Sequence, residues 1–385
     1  MQDSPTSPPS GGKFLRRFTG RFLISLLIGG GLFYLAFRGL RPEDLWEAFR
    51  QADYLWIVPF VGTLMGVQLF RAWRWQFLLI PITDKPPGLW RILTVSTVGF
   101  GAIMLLPLRL GEFVRPFLIA DPRQADPDQP RTGRDGERLR MTAALGTIAV
   151  ERVMDGLMVS LFLFGSFLVL GDRPGAPSWM MPTAYTALAV FGGATLFLTA
   201  GLLKADLAVR LALTLSLIGP IAKRRGGRAE RIRSRLEDLL HALISGFTAL
   251  SNAGCLLRFV LASLVYWCFN GLGFYVLARA FHLDLALVNA FAICGMVAIG
   301  IILPAGPGLV GNFHEFGKFG LQLSLPASVI AGPGMAFVVL IHGLHFVWYV
   351  GLGLLALRSR HVRIARVVQA TVSADPPGDD APANA

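Results

Sequence analysis

Charged side chains interrupt two of the most apolar stretches of the chain, and these charges are the first candidates for chemistry. Ionised groups within a membrane are costly, so they usually face one another, a cavity or a substrate. We therefore interpret them as functional residues. They are Arg109, Glu112 and Arg115 in the first stretch, and Glu151, Arg152 and Asp155 in the second.

The first group has the spacing of an ion pair with spare donors. Glu112 and Arg115 are three residues apart and can pair on one helix face, and Arg109 lies on the same side. The remaining guanidinium donors suit the oxygens of a lipid phosphate. The pattern indicates a headgroup site or a coupling proton site. The alternative is an internal salt bridge that only fixes the local structure.

The second group brings two carboxylates onto one helix face. Glu151 and Asp155 are four residues apart and repel each other unless a cation or a proton intervenes. Arg152 can reach Asp155, and Arg109 or Arg115 could pair with Glu151. A carboxylate that stays protonated would be a proton carrier, and the alternative is a polar network that joins helices.

A third group follows a break in another apolar stretch. Pro307, Gly308 and Gly311 precede His314 and Glu315. A helix that starts here would direct free N–H groups at the break, which favours an anion, and the glycines would let a headgroup approach closely. The alternative is a simple helix break.

Four further residues have polar side chains in or beside apolar segments. His342 and His345 could join the same cavity, or they could bond neighbouring helices. Arg71 and Arg74 close a predicted span, where we expect mainly snorkelling anchors in the headgroup layer. No histidine or cysteine spacing predicts a metal site, and we expect no cofactor.

Composition assigns these residues to a membrane protein. Of 385 residues, 54% are hydrophobic and 16% charged, and apolar runs near 20 residues recur along the chain. We predict an all-α polytopic integral membrane protein without a separate soluble catalytic domain. The net charge of +12 reflects basic residues at segment ends, which favours anionic inner-leaflet lipids as partners rather than nucleic acid.

Proline and glycine breaks divide the predicted segments into two kinds. Two broken stretches, 90–119 and 286–323, are predicted as re-entrant hairpins, and the alternative is eight ordinary kinked transmembrane helices. The six full spans are predicted at 20–37, 54–78, 142–170, 182–203, 255–280 and 331–357.

The distribution of basic residues predicts the topology. Segment 204–235 holds nine basic and two acidic residues, whereas loop 38–53 holds three and four. The positive-inside rule then places both termini in the cytoplasm. Each half crosses the membrane three times, so the second repeat (182–357) is inverted relative to the first (20–170).

Three polar segments lie outside the predicted spans. Residues 1–19 are predicted to be basic and disordered, 204–250 to be a cytoplasmic amphipathic segment or a plain linker, and 358–385 to be basic and then disordered. Glycine-rich spans such as 29–31 permit helix association, so a homo-oligomer is one prediction.

Four motifs in this order resemble the flippase-like membrane proteins related to the transmembrane region of lysylphosphatidylglycerol synthases, over about residues 20–357. The second hairpin departs from the commoner Pro-Gly-Gly-Leu-Gly-x-x-Glu form. The motifs are Arg71-x-x-Arg74-Trp75, Leu106-Pro107-x-Arg109-x-Gly111-Glu112-x-x-Arg115-Pro116, Glu151-Arg152-x-x-Asp155 and Pro304-Ala305-Gly306-Pro307-Gly308-x-x-Gly311-x-Phe313-His314-Glu315.

The resemblance implies a multi-pass protein of the bacterial inner membrane that moves a polar lipid between leaflets. These residues contain no large aminoacyltransferase domain, so we expect no lysyl transfer. The alternatives are a membrane enzyme acting on a lipid-linked substrate and an accessory subunit of envelope lipid assembly. The predicted headgroup-binding residues are Arg71, Arg74, Arg109, Glu112, Arg115, Glu151, Arg152, Asp155, Pro307, Gly308, Gly311, His314 and Glu315.

Overall fold

The structure, a computed structural model, describes residues 11–83, 86–120, 141–171, 178–203, 252–303, 306–359 and 362. Every regular element of these residues is helical. The helices are α1 (Gly11–Phe37), α2 (Pro42–Gln51), α3 (Ile57–Leu79), α4 (Leu89–Leu105), α5 (Val114–Ala120), α6 (Met141–Leu170), α7 (Met180–Leu203), α8 (Ala253–Ala278), α9 (Leu287–Ile302), α10 (Asn312–Gln322) and α11 (Met335–Ala356).

Shorter helical turns join or extend these helices. The 3₁₀ segments Pro107–Phe113 and Pro307–Leu309 connect α4 to α5 and α9 to α10. A short helix, Ala327–Val329, and a π-helical turn, Ile330–Gly334, lead into α11. The breaks therefore fall at the prolines that the sequence singled out, because proline cannot donate to the helix ladder.

Within the described residues, four helical stretches are long and apolar enough to cross a membrane, which confirms a polytopic helical membrane protein. Helices α1 and α2 would add a fifth span if counted as one, but they are bent by 78°. Every predicted span coincides with a helix, and α1 begins at Gly11, earlier than predicted. The four stretches are Tyr54–Ile82, Ala143–Leu170, Ala253–Phe281 and Ala327–Ala356.

Helix α2 lies in the segment predicted as a plain loop, 38–53. Its signals were local and present: Pro42 at the first helical position, Glu43 and Asp44 in the first turn, and Arg50 in the last. This order complements the helix dipole. We missed the helix because it is short and half polar.

Both broken stretches fold back on themselves. In the first, Arg91 at the start of α4 donates to the carbonyl oxygen of Ile119 at the end of α5 over 3.1 Å. In the second, Asn312 donates to the carbonyl oxygen of Gly300 over 3.0 Å, and Asn289 bonds Ser324. Each stretch is thus a closed hairpin in this structure. Its position as a re-entrant element of a bilayer stays a prediction.

Helices from the first half of the described chain pack against helices from the second half. Helices α3 and α8 pack antiparallel, because Gly66 lies against Phe269 while Thr63 lies against Gly273. The first hairpin packs on α11 through Gly101. The second packs on α6, where α9 contacts Leu163. Antiparallel counterpart helices are expected of an inverted repeat, although the predicted count of six spans with two re-entrant hairpins stays a prediction.

Several predictions fall on residues outside the described ones. They concern the whole of the amphipathic segment 204–250, residues 121–140 of the polar loop, residues 1–10, and the tail beyond residue 362.

The buried apolar side chains of the described helices form two main cores. One includes Tyr266 and Trp267 of α8 together with residues of α9 to α11. The other includes Trp75 of α3 together with residues of α4 to α6. The charged side chains contact members of both cores, since Arg74 lies over Tyr266 and Arg115 over Trp75.

Candidate functional site

The site is built around two arginines of α3 that point inward. Arg71 is 5% exposed and Arg74 is fully buried. The expectation that they serve mainly as snorkelling anchors is therefore wrong. Their i, i+3 spacing places both on the face that meets α6 and α8, where carboxylate and phenol groups replace the water that a snorkelling side chain would seek.

Glu151 of α6 is the centre of the charge network. Arg74 donates to Glu151 Oε1 over 3.0 Å, and Arg152 does so over 2.8 Å. Arg115 of α5 makes two bonds, 3.1 Å to Oε1 and 3.0 Å to Oε2. The predicted ion pair between Arg115 and Glu151 is confirmed. A fully buried carboxylate that binds three guanidinium groups joins α3, α5 and α6.

Asp155, one turn further along α6, links this helix to α3 and α8. Arg74 donates two hydrogen bonds to its carboxylate, 2.5 Å to Oδ1 and 2.9 Å to Oδ2. Trp267 of α8 donates to Oδ1 over 3.1 Å. The predicted pair between Arg152 and Asp155 is confirmed, with 3.5 Å between Arg152 Nη2 and Asp155 Oδ2.

Glu112 pairs with Arg109 rather than with Arg115, so the predicted pair of Glu112 and Arg115 is wrong. The nitrogen to oxygen distance is 2.5 Å. The reason is local: residues 107–113 form a 3₁₀ helix, in which side chains three apart eclipse each other. Arg109 also donates to the carbonyl oxygen of Ile301 at the end of α9 over 2.7 Å. The two hairpins therefore touch at their tips.

Arg71 lacks a carboxylate partner among the described residues and lies instead in an aromatic cage. Its Nη2 donates to the hydroxyl of Tyr266 over 3.1 Å and to that of Tyr349 over 2.9 Å. Its guanidinium carbon lies 3.9 Å from the centre of the Phe100 ring. Its Nε and Nη1 are buried without a hydrogen-bond partner in the described part of the chain. Two donor atoms of Arg71 thus lack the partner that buried polar groups usually have.

The cluster carries more positive than negative charge. Five guanidinium groups meet three carboxylates, a formal excess of two positive charges. Arg74, Arg115 and Glu151 form a buried floor. The rim is more open, with side-chain exposures of 17% for Arg109, 25% for Glu112 and 33% for Arg152. We call this group the arginine cluster. Its members are Arg71, Arg74, Arg109, Glu112, Arg115, Glu151, Arg152 and Asp155.

The second hairpin forms a separate group. Gly308 and Gly311 have φ angles of 73° and 88°, a region that favours glycine. A Cβ atom on Gly311 would lie 1.9 Å from the carbonyl oxygen of Gly29 in α1. In this structure the close approach that Gly311 permits is made by α1. A headgroup at these glycines stays a prediction.

The histidines bind this hairpin to α11. His342 Nε2 bonds the carbonyl oxygen of Gly308 over 2.7 Å, and its ring centre lies 4.7 Å from that of His314. Pro307 opens the 3₁₀ turn, and Glu315 is buried with Oε2 unpartnered among the described residues. The structure thus gathers the first two predicted groups with Arg71 and Arg74, and leaves Pro307, Gly308, Gly311, His314 and Glu315 apart.

Aromatic partners of the cluster were missed from the sequence. Tyr266, Trp267 and Tyr349 each direct a hydroxyl or indole N–H at a charged group. Arg115 also lies 4.2 Å from the ring of Trp75, whose indole donates to Thr147 over 3.0 Å. The available signal was the position of these amphipathic rings inside apolar spans, away from the interfaces that they usually prefer.

Among the described residues no group of three or more His, Cys, Asp or Glu side chains could hold a metal ion.

Comparison with known sequences identifies the family. Searches of curated proteins and of solved structures gave no match. The sequence profile described as the lysylphosphatidylglycerol synthase TM region matches residues 22–353. Because this match spans most of the 385 residues, the chain belongs to the family of the transmembrane region of lysylphosphatidylglycerol synthases.

Proposed function

We propose that this protein moves an anionic, phosphate-containing lipid between the leaflets of the bacterial inner membrane, without changing the lipid covalently. The family supports a membrane role connected with lipids. The substrate class is inferred from the arginine cluster. We place the protein with both termini in the cytoplasm, on the positive-inside rule.

The observation that carries the proposal is the uncompensated cation Arg71. A buried guanidinium without a carboxylate is costly unless an anion joins it. Its two open donors, Nε and Nη1, match a phosphate oxyanion. The neighbouring carboxylates Glu151 and Asp155 are occupied by arginines. A cationic aminoacyl headgroup would find no free buried acid in the cluster, whereas a phosphodiester would find free donors.

The contact between the hairpin tips suggests how access alternates. The bond from Arg109 to the carbonyl of Ile301 ties the first hairpin to the second. Breaking this bond would let the hairpins separate and open a path past the rim residues Glu112 and Arg152. Transporters that are built as inverted repeats alternate access by rocking one repeat against the other.

A translocation assay with a matched pair of variants tests the proposal. Purified protein is placed in vesicles that contain a trace of fluorescent phosphatidylglycerol, and the label in the outer leaflet is bleached chemically to follow exchange. We expect Arg71→Gln to slow exchange about tenfold or more, since a hydrogen bond to a charged group contributes about 1.5–3 kcal/mol.

Arg279→Gln is the control. Arg279 also contacts a tyrosine, with 2.6 Å to the hydroxyl of Tyr275 and 4.8 Å to its ring, but it lies at the far end of α8. We expect it to leave exchange unchanged. Equal rates for both variants, or no exchange of phosphatidylglycerol by the wild type, would refute the proposal. A change of lipid species in mass spectra would favour a membrane enzyme instead.

A further inference from the structure

Two histidines continue from the arginine cluster along one face of α11. His342, His345 and Tyr349 are spaced by three and four residues, so they lie one above another on the helix. Tyr349 accepts a hydrogen bond from Arg71 at one end of this row. His342 bonds the second hairpin at Gly308 at the other end. We call these three residues the histidine column.

The hydrogen bonds of the column determine where each neutral imidazole carries its proton. A carbonyl oxygen can only accept, so His342 donates from Nε2 to Gly308 over 2.7 Å, and His345 donates from Nδ1 to Ile341 over 2.7 Å. A neutral imidazole has one N–H. Nδ1 of His342 and Nε2 of His345 therefore carry no hydrogen, and the lone pair of each can accept one proton.

Apolar and aromatic side chains surround both rings. Phe313 stacks on His342 with 4.7 Å between ring centres, and Phe60 lies 5.6 Å from His345. No carboxylate pairs with either imidazole within the described helices. A proton here would therefore depend on more distant charges.

The titratable and charged groups that face the column come from five helices. Arg71 of α3 bonds the hydroxyl of Tyr349, whose ring centre lies 5.9 Å from that of His345, so a cation on His345 would be repelled by Arg71. His314 of α10 is the nearest imidazole to His342. The remaining groups are Tyr266 of α8, Cys294 of α9 and Tyr349 of α11. On α10, Glu315 follows His314 and lies near Lys318, whose Nζ bonds the carbonyls of Leu35 and Ala36 instead of facing the column.

We propose that His342 and His345 bind a proton that crosses the membrane together with the anionic lipid. The inference rests on the proposed function. A proton on His345 is unfavourable beside Arg71 alone, but an anionic headgroup on Arg71 cancels that repulsion. Lipid and proton therefore strengthen each other's binding, and the coupling is reciprocal. Chains of intramembrane histidines and acids serve as proton paths in transporters.

The stoichiometry gives a sharp expectation. One proton with one singly charged lipid is a neutral load, so transport should respond to a pH gradient and not to membrane potential. At one proton per lipid, a gradient of one pH unit can shift the leaflet ratio by up to about tenfold, since each tenfold ratio is 1.4 kcal/mol.

The experiment uses the full chain in phosphatidylcholine vesicles with fluorescent phosphatidylglycerol. The outside is made one pH unit more acidic than the lumen, with the membrane potential clamped by potassium and an ionophore. We expect the label to accumulate in the inner leaflet. His342→Gln and His345→Gln should remove this accumulation, because a glutamine amide can still donate to the same carbonyl but cannot carry a proton.

His282→Gln is the matched control, since His282 is exposed on the connection between α8 and α9. Glu315→Gln tests the other buried acid of this region. Exchange that ignores the pH gradient would overturn the inference while leaving the proposed function intact, and absence of any exchange would refute the proposed function. Loss of accumulation in Glu315→Gln alone would also overturn it.

A binding measurement covers variants that do not exchange lipid. Protein in detergent is mixed with short-chain phosphatidylglycerol beside a pH indicator. The wild type should take up as much as one proton for each lipid bound, and the two histidine variants should take up markedly less. Lipid binding without proton uptake by the wild type would contradict the inference.

Discussion

The arginine cluster and the histidine column handle buried polarity in opposite ways. In the cluster, permanent charges of opposite sign pair across α3, α5 and α6, with Glu151 shared by three guanidinium groups. In the column, neutral imidazoles donate hydrogen bonds to backbone carbonyls, as His342 does to Gly308. The first arrangement is held by charge, and the second by the shape of the backbone.

The two hairpins repeat this difference. The first is tied to its neighbours by long side chains, with Arg109 on Ile301 and Arg115 on Glu151. The second is tied by close backbone packing, since Gly311 touches α1 at Gly29. Two hairpins that each contain a proline break thus carry different chemistry. Permanent charges suit a headgroup, whereas neutral imidazoles suit a proton.

The largest expected effect comes from removing the central carboxylate of the arginine cluster. Glu151→Gln should lower the free energy of unfolding by about 3–5 kcal/mol, because it leaves buried guanidinium groups uncompensated. Glu112→Gln is the control and should change it by at most about 1 kcal/mol, since this partly exposed carboxylate has one partner. Denaturant unfolding in detergent measures both. Equal losses would mean that the buried network does not hold these helices.

The next largest effect comes from disrupting the close backbone contact between the second hairpin and α1. Gly311→Ala should destabilise the protein by about 3 kcal/mol, because φ is 88° and the new Cβ would meet Gly29. Gly343→Ala should be neutral or slightly stabilising, since Gly343 has open space around its Cα and lies within α11. The same unfolding assay compares them. A neutral Gly311→Ala would show that α1 does not depend on this contact.

A smaller effect sharpens the link between the two regions. Tyr349→Phe removes the hydroxyl that Arg71 holds at 2.9 Å but keeps the ring. We expect weaker binding of phosphatidylglycerol by about 1.5 kcal/mol, since Arg71 loses an anchor. Tyr275→Phe, which removes the partner of Arg279, should leave affinity unchanged. Titration calorimetry in detergent measures both affinities.

The smallest effect concerns the contact between α10 and α1. Lys318 binds two of the last carbonyls of α1, at 3.1 Å and 3.0 Å. Lys318→Met should cost about 0.5–1 kcal/mol of stability, because a cation at a helix C-terminus is favourable. Lys318→Arg should retain most of it. Thermal unfolding of the two variants decides, and a loss in both would assign the effect to packing.

Local patterns made most of the helices predictable. Apolar runs placed α3, α6, α8 and α11 within a few residues, since their length matches the hydrocarbon thickness. Proline and glycine placed both breaks, because these residues act on the backbone around them. Helix α2 was missed although its end signals were visible.

The partners within the cluster were only half predictable. Short-range pairs such as Arg152 with Asp155 followed from helix spacing. The choice of Arg109 over Arg115 for Glu112 depended on a 3₁₀ helix that spacing alone does not reveal. The burial of Arg71 and Arg74 depended on phenols and carboxylates from distant segments.

The sequence by itself determined a membrane protein of apolar helices, with two proline-broken stretches and with charged side chains inside apolar segments, because these properties follow from composition and local backbone chemistry. Only the tertiary structure decided that Arg74 meets Asp155 across 81 positions and Arg71 meets Tyr349 across 278. Such pairs arise when helices pack, since a buried cation takes whichever oxygen the neighbouring helix brings within reach.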